Sequence, residues 1–513
     1  MLRGVTTTAD LFVDGVRDDA QYYRDVYNVE RVEALKGPNA MIFGRGGVGG
    51  VINRVTRQAD WSHAREVAVQ LGSWDDRRLT ADLASGFGQR LATRLTGVYQ
   101  TAGSYRQDVS LERMGINPTL ALNLGAATSL RASYEFFHDE RTADRGVPSF
   151  NGRPVSTAAS TFFGDPSQST SRASVHIASA VAEHRTRRGA LIRSRLTYGN
   201  YDKFYQNVFP GAVNSTGTAV SLSAYNNASG RQNLFSQTDV ITALRTGPLA
   251  HAVLVGAEFG RQATSNLRET GYFTSLGPEV TTISRPLDSP RSTLPLSFRQ
   301  SATDANTDGV ATIAALYAQD QVTVTRHLQA ILGLRADRFH IGLQNNRTAT
   351  TLADTDLLLS PRAGLVVKPS AAVSLYASYS LAYQPRAGEQ LASLTATTQS
   401  LDPERFTNYE VGAKWDLTPV LAASAALYRL DRTNVAVPDP SDPTRLLLVA
   451  GQRTSGIELE LTGQLRSWWQ TTEGYAFQDG ALSATISASA RAGARLAMLP
   501  AHSWSVWNKV TLP

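Results

Sequence analysis

The feature that most restricts what this chain can fold into is an alternation of apolar and polar residues. It recurs in segment after segment from about Arg65 onward. Val67, Val69 and Leu71 alternate with Glu66, Ala68 and Gln70, and Leu130, Ala132, Tyr134 and Phe136 alternate with Arg131, Ser133 and Glu135. Further on, Val373, Leu375, Ala377, Tyr379 and Leu381 oppose Ser374, Tyr376, Ser378 and Ser380, while Ile457, Leu459 and Leu461 oppose Glu458, Glu460 and Thr462. A period of two is what strands show when one face is wet and the other is not.

The connections alternate as well. Short turns at 86–89, 246–248, 326–327, 368–370 and 418–419 separate long polar segments at about 138–174, 200–232, 262–308, 384–406 and 433–450. Short, long, short, long is the loop rule of an outer-membrane barrel, with tight periplasmic turns and extended external loops. A soluble all-β repeat protein has no reason to keep that asymmetry, and compact domains seldom hold loops so long. The count is about eighteen strands, the last near Trp504 to Leu512. Closing such strands into a cylinder pairs every backbone donor and acceptor, as the hydrocarbon layer demands. Trp74, Tyr99, Tyr134, Phe259, Tyr383, Trp415, Trp504 and Trp507 stand near strand ends, where interfacial girdles are expected.

Composition removes competing classes. The 513 residues include no cysteine, which excludes disulfides, thiolate metal sites and a cysteine nucleophile. No run approaches the roughly 18 apolar residues of a membrane helix, and the opening residues do not form a signal peptide. The net charge of +6 is carried by 45 Arg against five Lys. No dense basic run marks a nucleic-acid arm. The eight histidines are scattered, and neither H-E-x-x-H nor G-x-S-x-G occurs. No enzyme is expected.

The first 60 residues differ from the rest: they are rich in Asp, Gly and Arg, with short β-like runs at Leu11 to Val13 and Gly50 to Asn53. They are expected to form a small separate domain, 1–60, ahead of a barrel domain, 61–513. Within them Gly44-Arg45-Gly46-Gly47-Val48-Gly49 satisfies G-x-G-x-x-G. A dinucleotide site would also need a preceding strand, a following helix and a distant acid. Here the β-like Val51-Ile52-Asn53 follows instead. The glycines suit tight turns and close backbone approach.

Three runs in this part carry a resemblance: Val13-Asp14-Gly15, then Glu30-Arg31-Val32-Glu33-Ala34-Leu35-Lys36-Gly37-Pro38, then Phe43-Gly44-Arg45-Gly46-Gly47-Val48-Gly49-Gly50-Val51-Ile52-Asn53. Together they resemble the second half of the plug domain of TonB-dependent siderophore receptors. Tyr317-Ala318-Gln319-Asp320-Gln321, Leu332 to Asp337, Leu401-Asp402-Pro403-Glu404 and Asn408 to Gly412 are similar to barrel strands of the same family.

The resemblance implies an all-β fold: a transmembrane antiparallel β-barrel, about eighteen of an expected 22 strands, with the C-terminal half of an N-terminal plug inside it. It implies a monomeric receptor in the outer membrane of a Gram-negative bacterium that binds a ferric siderophore and passes it to the periplasm. The partners would be the siderophore, the TonB-ExbB-ExbD complex, outer-membrane lipid and lipopolysaccharide, with no nucleic acid. No cofactor is needed, because iron arrives already chelated. Cobalamin, sugar or haem as cargo, and a truncated receptor remnant, remain alternatives. The family pattern also leads one to expect a signal sequence, a TonB-contacting peptide, the first half of the plug and about four further strands beyond the ends of this chain. As it stands, the sheet is not expected to close in the family manner.

Tyr22-Tyr23-Arg24-Asp25 and Asp144 to Phe150 look most like receptors for catecholate-type siderophores. By that resemblance Tyr22, Tyr23, Arg24 and Phe43 lie at plug apices that touch ligand; the loop aromatics Phe150, Phe162, Phe163, Tyr201, Phe204 and Tyr205 are candidates for the external half of the site. Ferric catecholates are anionic and flat, which suits an arginine fork and aromatic faces. The competing readings are a salt bridge from Arg24 to Asp25 or another plug carboxylate, and plain packing for the aromatics. Asp14, Gly15, Glu30, Arg31, Glu33, Lys36, Gly37, Pro38, Gly44, Arg45, Gly46, Gly49, Gly50 and Asn53 form the structural plug motif.

Overall fold

A computed structural model describes the whole chain except residues 1–2, 6–9, 37–48, 389–390, 392–393, 439–445, 489 and 513. Gly37, Pro38, Phe43, Gly44, Arg45 and Gly46 of the plug motif therefore lie outside the described residues. Among the described residues the one helical turn is Pro166–Gln168, and the remaining regular structure is β.

The first part of the chain builds a four-stranded sheet from β1 (Leu11–Val13), β2 (Val16–Arg17), β3 (Val29–Leu35) and β4 (Val51–Thr56), in the spatial order β2-β1-β4-β3. The β1–β2 hairpin turns on Asp14 and Gly15, both at positive φ (50° and 81°). Asp-Gly is favoured where a two-residue turn needs φ above zero at both positions. The Asp14 carboxylate accepts from the Thr56 backbone N–H at 2.8 Å and its hydroxyl at 2.6 Å, and the Gly15 N–H donates to Asn53 at 3.0 Å. Asn53 in turn donates to Glu33 at 2.9 Å, and Glu33 also accepts from Arg31 at 2.8 Å. Five motif residues thus fasten the hairpin to β3 and β4. Gly49 and Gly50 are buried just ahead of β4, and Glu30 is exposed on β3.

From Ala64 onward the strands run in order round a closed antiparallel barrel. Of its twenty strands, Thr282–Pro286 and Leu296–Arg299 are short additions, pairing with the outer ends of Ala219–Thr246 and Leu249–Phe273. Removing those two leaves eighteen long wall strands, the number the alternation predicts. The sequence also leads one to expect a sheet that fails to close. The strands do come round, with Ala64–Gly72 and His502–Val510 as neighbours. Among the described residues no paired register joins these two, and both are exposed along almost their whole length. Between its first and last wall strands the sheet is therefore not joined by a ladder, as the sequence leads one to expect.

The outer faces present the apolar half of the alternation to lipid: Val69, Leu316, Leu332, Leu357 and Val411 are each at least half exposed. Trp74, Tyr99, Tyr134, Phe259, Trp415, Trp504 and Trp507 are exposed as girdle residues should be. Tyr383 is not: it packs against an apolar cluster with Ala387, Leu391 and Leu394.

The predicted loop at 200–232 is instead two strands, Leu191–Val213 and Ala219–Thr246, of 23 and 28 residues. Likewise 262–273 extends the strand Leu249–Phe273. A crossing takes about 9–11 residues, so the outer ends of these strands rise clear of the membrane, where Val208, Val220, Leu222 and Phe273 pack into an apolar core outside it. With no hydrocarbon to meet, their sequence loses the alternation by which strands are recognised.

Candidate functional site

The plug is held in the lumen by ion pairs on several sides. Arg3 binds Glu410 at 2.6 Å and Glu458 at 2.9 Å, and Lys36 binds Glu458 at 3.1 Å. Arg57 binds Asp82 at 2.7 Å, while Asp19 accepts from Arg231 at 2.9 Å and from Gln262 at 3.0 Å. A buried charge without a partner is strongly destabilising, so these pairs fix the plug where it sits.

The segment between β2 and β3 forms the plug surface nearest the outer opening, and its charges sort into two kinds. Arg24 is enclosed: its Nε donates to Asp18 at 2.9 Å, and its terminal nitrogens donate to the carbonyls of Asp18, Ala20 and Tyr22. Arg54 reaches the same carboxylate at 2.9 Å. Burial pushes the Asp18 carboxyl up, and the two guanidinium groups outweigh it and hold the group below the ordinary carboxylate range. Asp25 is gripped by Arg78 at 2.7 and 2.8 Å and by Arg113 at 2.7 Å. Here too burial acts upward, and the two arginines prevail, bringing the carboxyl down to about 2.

Tyr22 is turned inward beneath this layer. Its hydroxyl donates to Asp18 at 3.1 Å and its ring lies 5.9 Å from Tyr201 and 6.3 Å from Phe137. Tyr23 points the other way. It is 56% exposed, and the Arg141 guanidinium carbon lies 3.7 Å from its ring centre.

Strand register supplies the rest. Arg78, Gln100, Arg113, Asp139, Ala173, Lys203, Ser229 and Asn266 lie side by side on neighbouring strands and face the lumen at the level of Asp25. Two residues further out, Arg141, Ser171, Tyr205, Asn227 and Arg268 form the next row. Asp139 holds Arg113 at 2.9 Å and Arg141 at 2.6 Å. Lys203 faces the cations Arg231 and Arg24 and forms no ion pair among the described residues.

Above these rows Arg145 descends from the external segment 143–169. It donates to the Tyr205 hydroxyl at 3.0 Å and to the Tyr225 hydroxyl, and lies 4.4 Å from the Phe209 ring centre. Arg268 covers the Tyr225 ring at 4.0 Å. Arg145 is exposed and has no carboxylate partner among the described residues. The result is a vestibule of cations and aromatic faces, floored by Tyr23. Flat anions are the species such a surface attracts.

Several predicted contacts fall elsewhere. Phe162 and Phe163 are 1% and 2% exposed, and Phe163 joins Val208, Leu222, Phe273 and Ile283 in an external apolar core. These two rings are packing, because the outer loops need a core of their own once clear of the membrane. Phe150 packs at the turn near Gly217. Phe204 stands beside Arg172, and Tyr201 belongs to the buried cluster under the plug apex. Tyr205 does reach the vestibule. Sequence reasoning missed Arg141, Arg145, Lys203, Tyr225 and Arg268; the one available signal was a rare lysine, Lys203, among aromatics on a polar stretch.

Comparison with known proteins places this architecture. The family model described as TonB dependent receptor-like, beta-barrel, matches residues 115–512, and the TonB-dependent Receptor Plug Domain matches residues 1–51. The chain belongs to the TonB-dependent receptor family. This TonB-dependent receptor is 25% identical to the probable TonB-dependent siderophore receptor PiuA of Acinetobacter baumannii, over 94% of its own length and 69% of the relative's. It is also 25% identical to the catecholate siderophore receptor Fiu of Escherichia coli strain K12, over 99% and 72%. The crystal structure of PiuA superposes with a TM-score of 0.90 at 23% identity, over 99% of this chain and 78% of that one. The receptor is an outer-membrane β-barrel, and its family consists of transport receptors.

Proposed function

We propose that this receptor binds a ferric siderophore of the catecholate class in the vestibule and delivers it to the periplasm with energy supplied through TonB. The observation that carries the reading is the concentration of lumen-facing cations around the exposed Tyr23 ring, with Lys203 and Arg145 lacking carboxylate partners among the described residues. Interior cations are ordinarily paired, so cations left to phenols and other cations suit an incoming anion. Arg145 supplies a fork for catecholate oxygens, Arg141 and Arg268 add positive charge beside it while bound to Asp139 and Asp304, and Tyr23, Tyr205 and Tyr225 supply faces for the rings. Relatives described as siderophore and catecholate receptors support the same reading. Iron enters as chelated cargo, so the reading needs no resident cofactor and no covalent step.

The ion pairs of Asp25 and Asp19 seat the plug beneath the bound ligand. Passage requires those pairs to break, and pulling by TonB is the proposed source of that work. Cells producing this receptor from its complete gene as their sole receptor test the proposal with radioactive iron in a tris-catecholate chelate. Saturable binding at 0 °C regardless of TonB, with accumulation at 37 °C only when TonB is present, is the expected result. Absence of saturable binding contradicts it.

A further inference from the structure

At the rim opposite the vestibule, three polar side chains are linked in a row on the outside of the barrel. Thr246 ends the strand Ala219–Thr246, His251 stands near the start of the next strand, Leu249–Phe273, and Asp320 lies on its neighbour, Asn306–Thr325. The Gly247-Pro248 turn between the first two strands is one of the short connections, which puts this end on the periplasmic side. Register sets the three on one face. Leu244 pairs with His251 and Thr246 with Leu249, while Val253 pairs with Asp320 and His251 with Val322. Thr246 and His251, and His251 and Asp320, are therefore diagonal neighbours. That face looks outward: Val255, Phe259, Leu244, Leu316 and Val324 share it and are exposed, whereas Gln262 points into the lumen at Asp19. The row thus stands at the margin between the apolar band and the periplasmic water.

The Thr246 Oγ1 lies 2.6 Å from the His251 Nε2, and the His251 Nδ1 lies 2.7 Å from the Asp320 Oδ2. An ionised carboxylate only accepts, so the ring proton sits on Nδ1, Nε2 keeps its lone pair, and the Thr246 hydroxyl donates to it. Hydroxyl, imidazole and carboxylate in that order make an activated nucleophile. His251 is the only hydrogen-bond partner of Asp320 among the described residues, and the Asp320 Oδ1 is buried without one. The imidazole is largely shielded, while Thr246 is exposed. Gly247, next after Thr246, has a φ of 59°, a conformation that the first position of a two-residue hairpin turn requires. Its N–H makes no hydrogen bond among the described residues. A Cβ added there would meet no atom within 4 Å, so the space beside the hydroxyl is open.

We propose that Thr246, His251 and Asp320 form a hydrolytic site that cleaves the carboxylic esters of glycerophospholipid in the periplasmic leaflet. Depth selects the substrate, because the ester groups of such a lipid lie between acyl chains and headgroup, where the apolar band meets water. The Thr246 Oγ bonds to the ester carbonyl carbon as its proton passes to the His251 Nε2, and the carbonyl electron pair moves onto the oxygen. The free Gly247 N–H, from the residue after the nucleophile, is the donor available to that oxyanion. Collapse breaks the bond from carbon to the glycerol oxygen, which leaves with the proton from Nε2. Water then attacks the acyl-threonine carbon, its proton returns through His251 to Thr246, and the fatty acid departs. The sum is ester plus water giving acid plus lysophospholipid. Asp320 touches no substrate and is a positioning residue, fixing the tautomer of the ring. The proposal rests on the outer-membrane location and is independent of which ligand enters the lumen.

The test uses the receptor produced from its complete gene, purified in mild detergent and mixed with micelles of phosphatidylethanolamine carrying a fluorescent acyl chain. Wild type is expected to release labelled fatty acid. Thr246→Val keeps the shape of the side chain without its hydroxyl and should release no more than micelles alone, whereas Thr246→Ser should remain active. His251→Gln should be slower by about 10²–10⁴-fold, the usual loss of a general base. Asp320→Asn should lower kcat about a hundredfold or more at unchanged KM, because the ring can then take the wrong tautomer; a merely structural clamp would move Tm without that split. Heat-modifiable migration on gels reports folding. If His251→Gln or Asp320→Asn fails that check, the two Thr246 variants carry the test, since they change only an exposed residue beside a turn. Equal release by wild type and Thr246→Val would overturn the proposal.

Discussion

Arg24 and Arg145 carry the same side chain at different depths in one lumen, and their surroundings assign them opposite tasks. Arg24 is enclosed by a carboxylate and three carbonyls. Arg145 is exposed among phenols and a phenyl ring. In the lower layer Asp18, Asp19 and Asp25 are each held by one or two arginines. The upper layer holds Arg145 without a carboxylate among the described residues, beside Arg141 and Arg268, which are bound to Asp139 and Asp304, and Arg145 so remains open to a ligand. Satisfaction of charge, more than its presence, separates structure from site.

The sharpest way to break this contrast is to remove Arg24. Arg24→Ala leaves Asp18 with one of its two cations in a buried place, and breaking such a pair costs about 3–5 kcal/mol. Thermal unfolding should show a destabilised plug, with ligand binding lost as a consequence. Arg145→Gln should leave the unfolding curve unchanged and weaken binding of a ferric catecholate about tenfold or more, the loss of a charged hydrogen bond worth ~1.5–3 kcal/mol. Tyr23→Ala removes one stacking face and should weaken binding about two- to fivefold, from ~0.5–1 kcal/mol of exposed cation–π and ring contact, as read by fluorescence titration. Acid gives an independent check. The folded Asp25 carboxyl is depressed to about 2, against about 3.9 for a free aspartate. Its contribution is therefore complete above about pH 4 and is lost as the pH falls toward 2. Plug seating, followed by protease access to residues 18–28, should stay constant from about pH 8 to 5 and loosen below 4, and Asp25→Asn should flatten that drop.

The barrel was legible in the sequence because hydrocarbon enforces a period of two on whatever crosses it, as Val373 to Leu381 shows. The strands beyond the membrane were not, since segments such as Asn226 to Asn233 carry polar residues on both faces, among them the buried Asn226, Arg231 and Asn233. The plug motif was readable for the same reason the hairpin forms: Asp14 and Gly15 meet a backbone demand few residues satisfy. The site was much less so. The sequence leaves Arg24 open between a ligand contact and the partner of a plug carboxylate, and Asp18, six residues earlier, is that carboxylate. Phe162 and Phe163 looked like lid aromatics until the outer loops proved to have an apolar core. Arg141, Lys203 and Arg268 come from three separate strands, and only register brings them into adjacent rows.

The most direct test of the vestibule as an anion site is a titration of the purified receptor with two ferric chelates of similar size, an anionic tris-catecholate and a neutral trihydroxamate. Tryptophan fluorescence would be followed in wild type and in the double variant Arg145→Gln, Lys203→Gln. The account predicts that wild type prefers the catecholate by at least about tenfold and that the double variant loses that preference while keeping its unfolding temperature, as expected when two charged contacts are removed from an otherwise intact site. Equal affinity for both chelates in wild type, or an undiminished preference in the double variant, would contradict it.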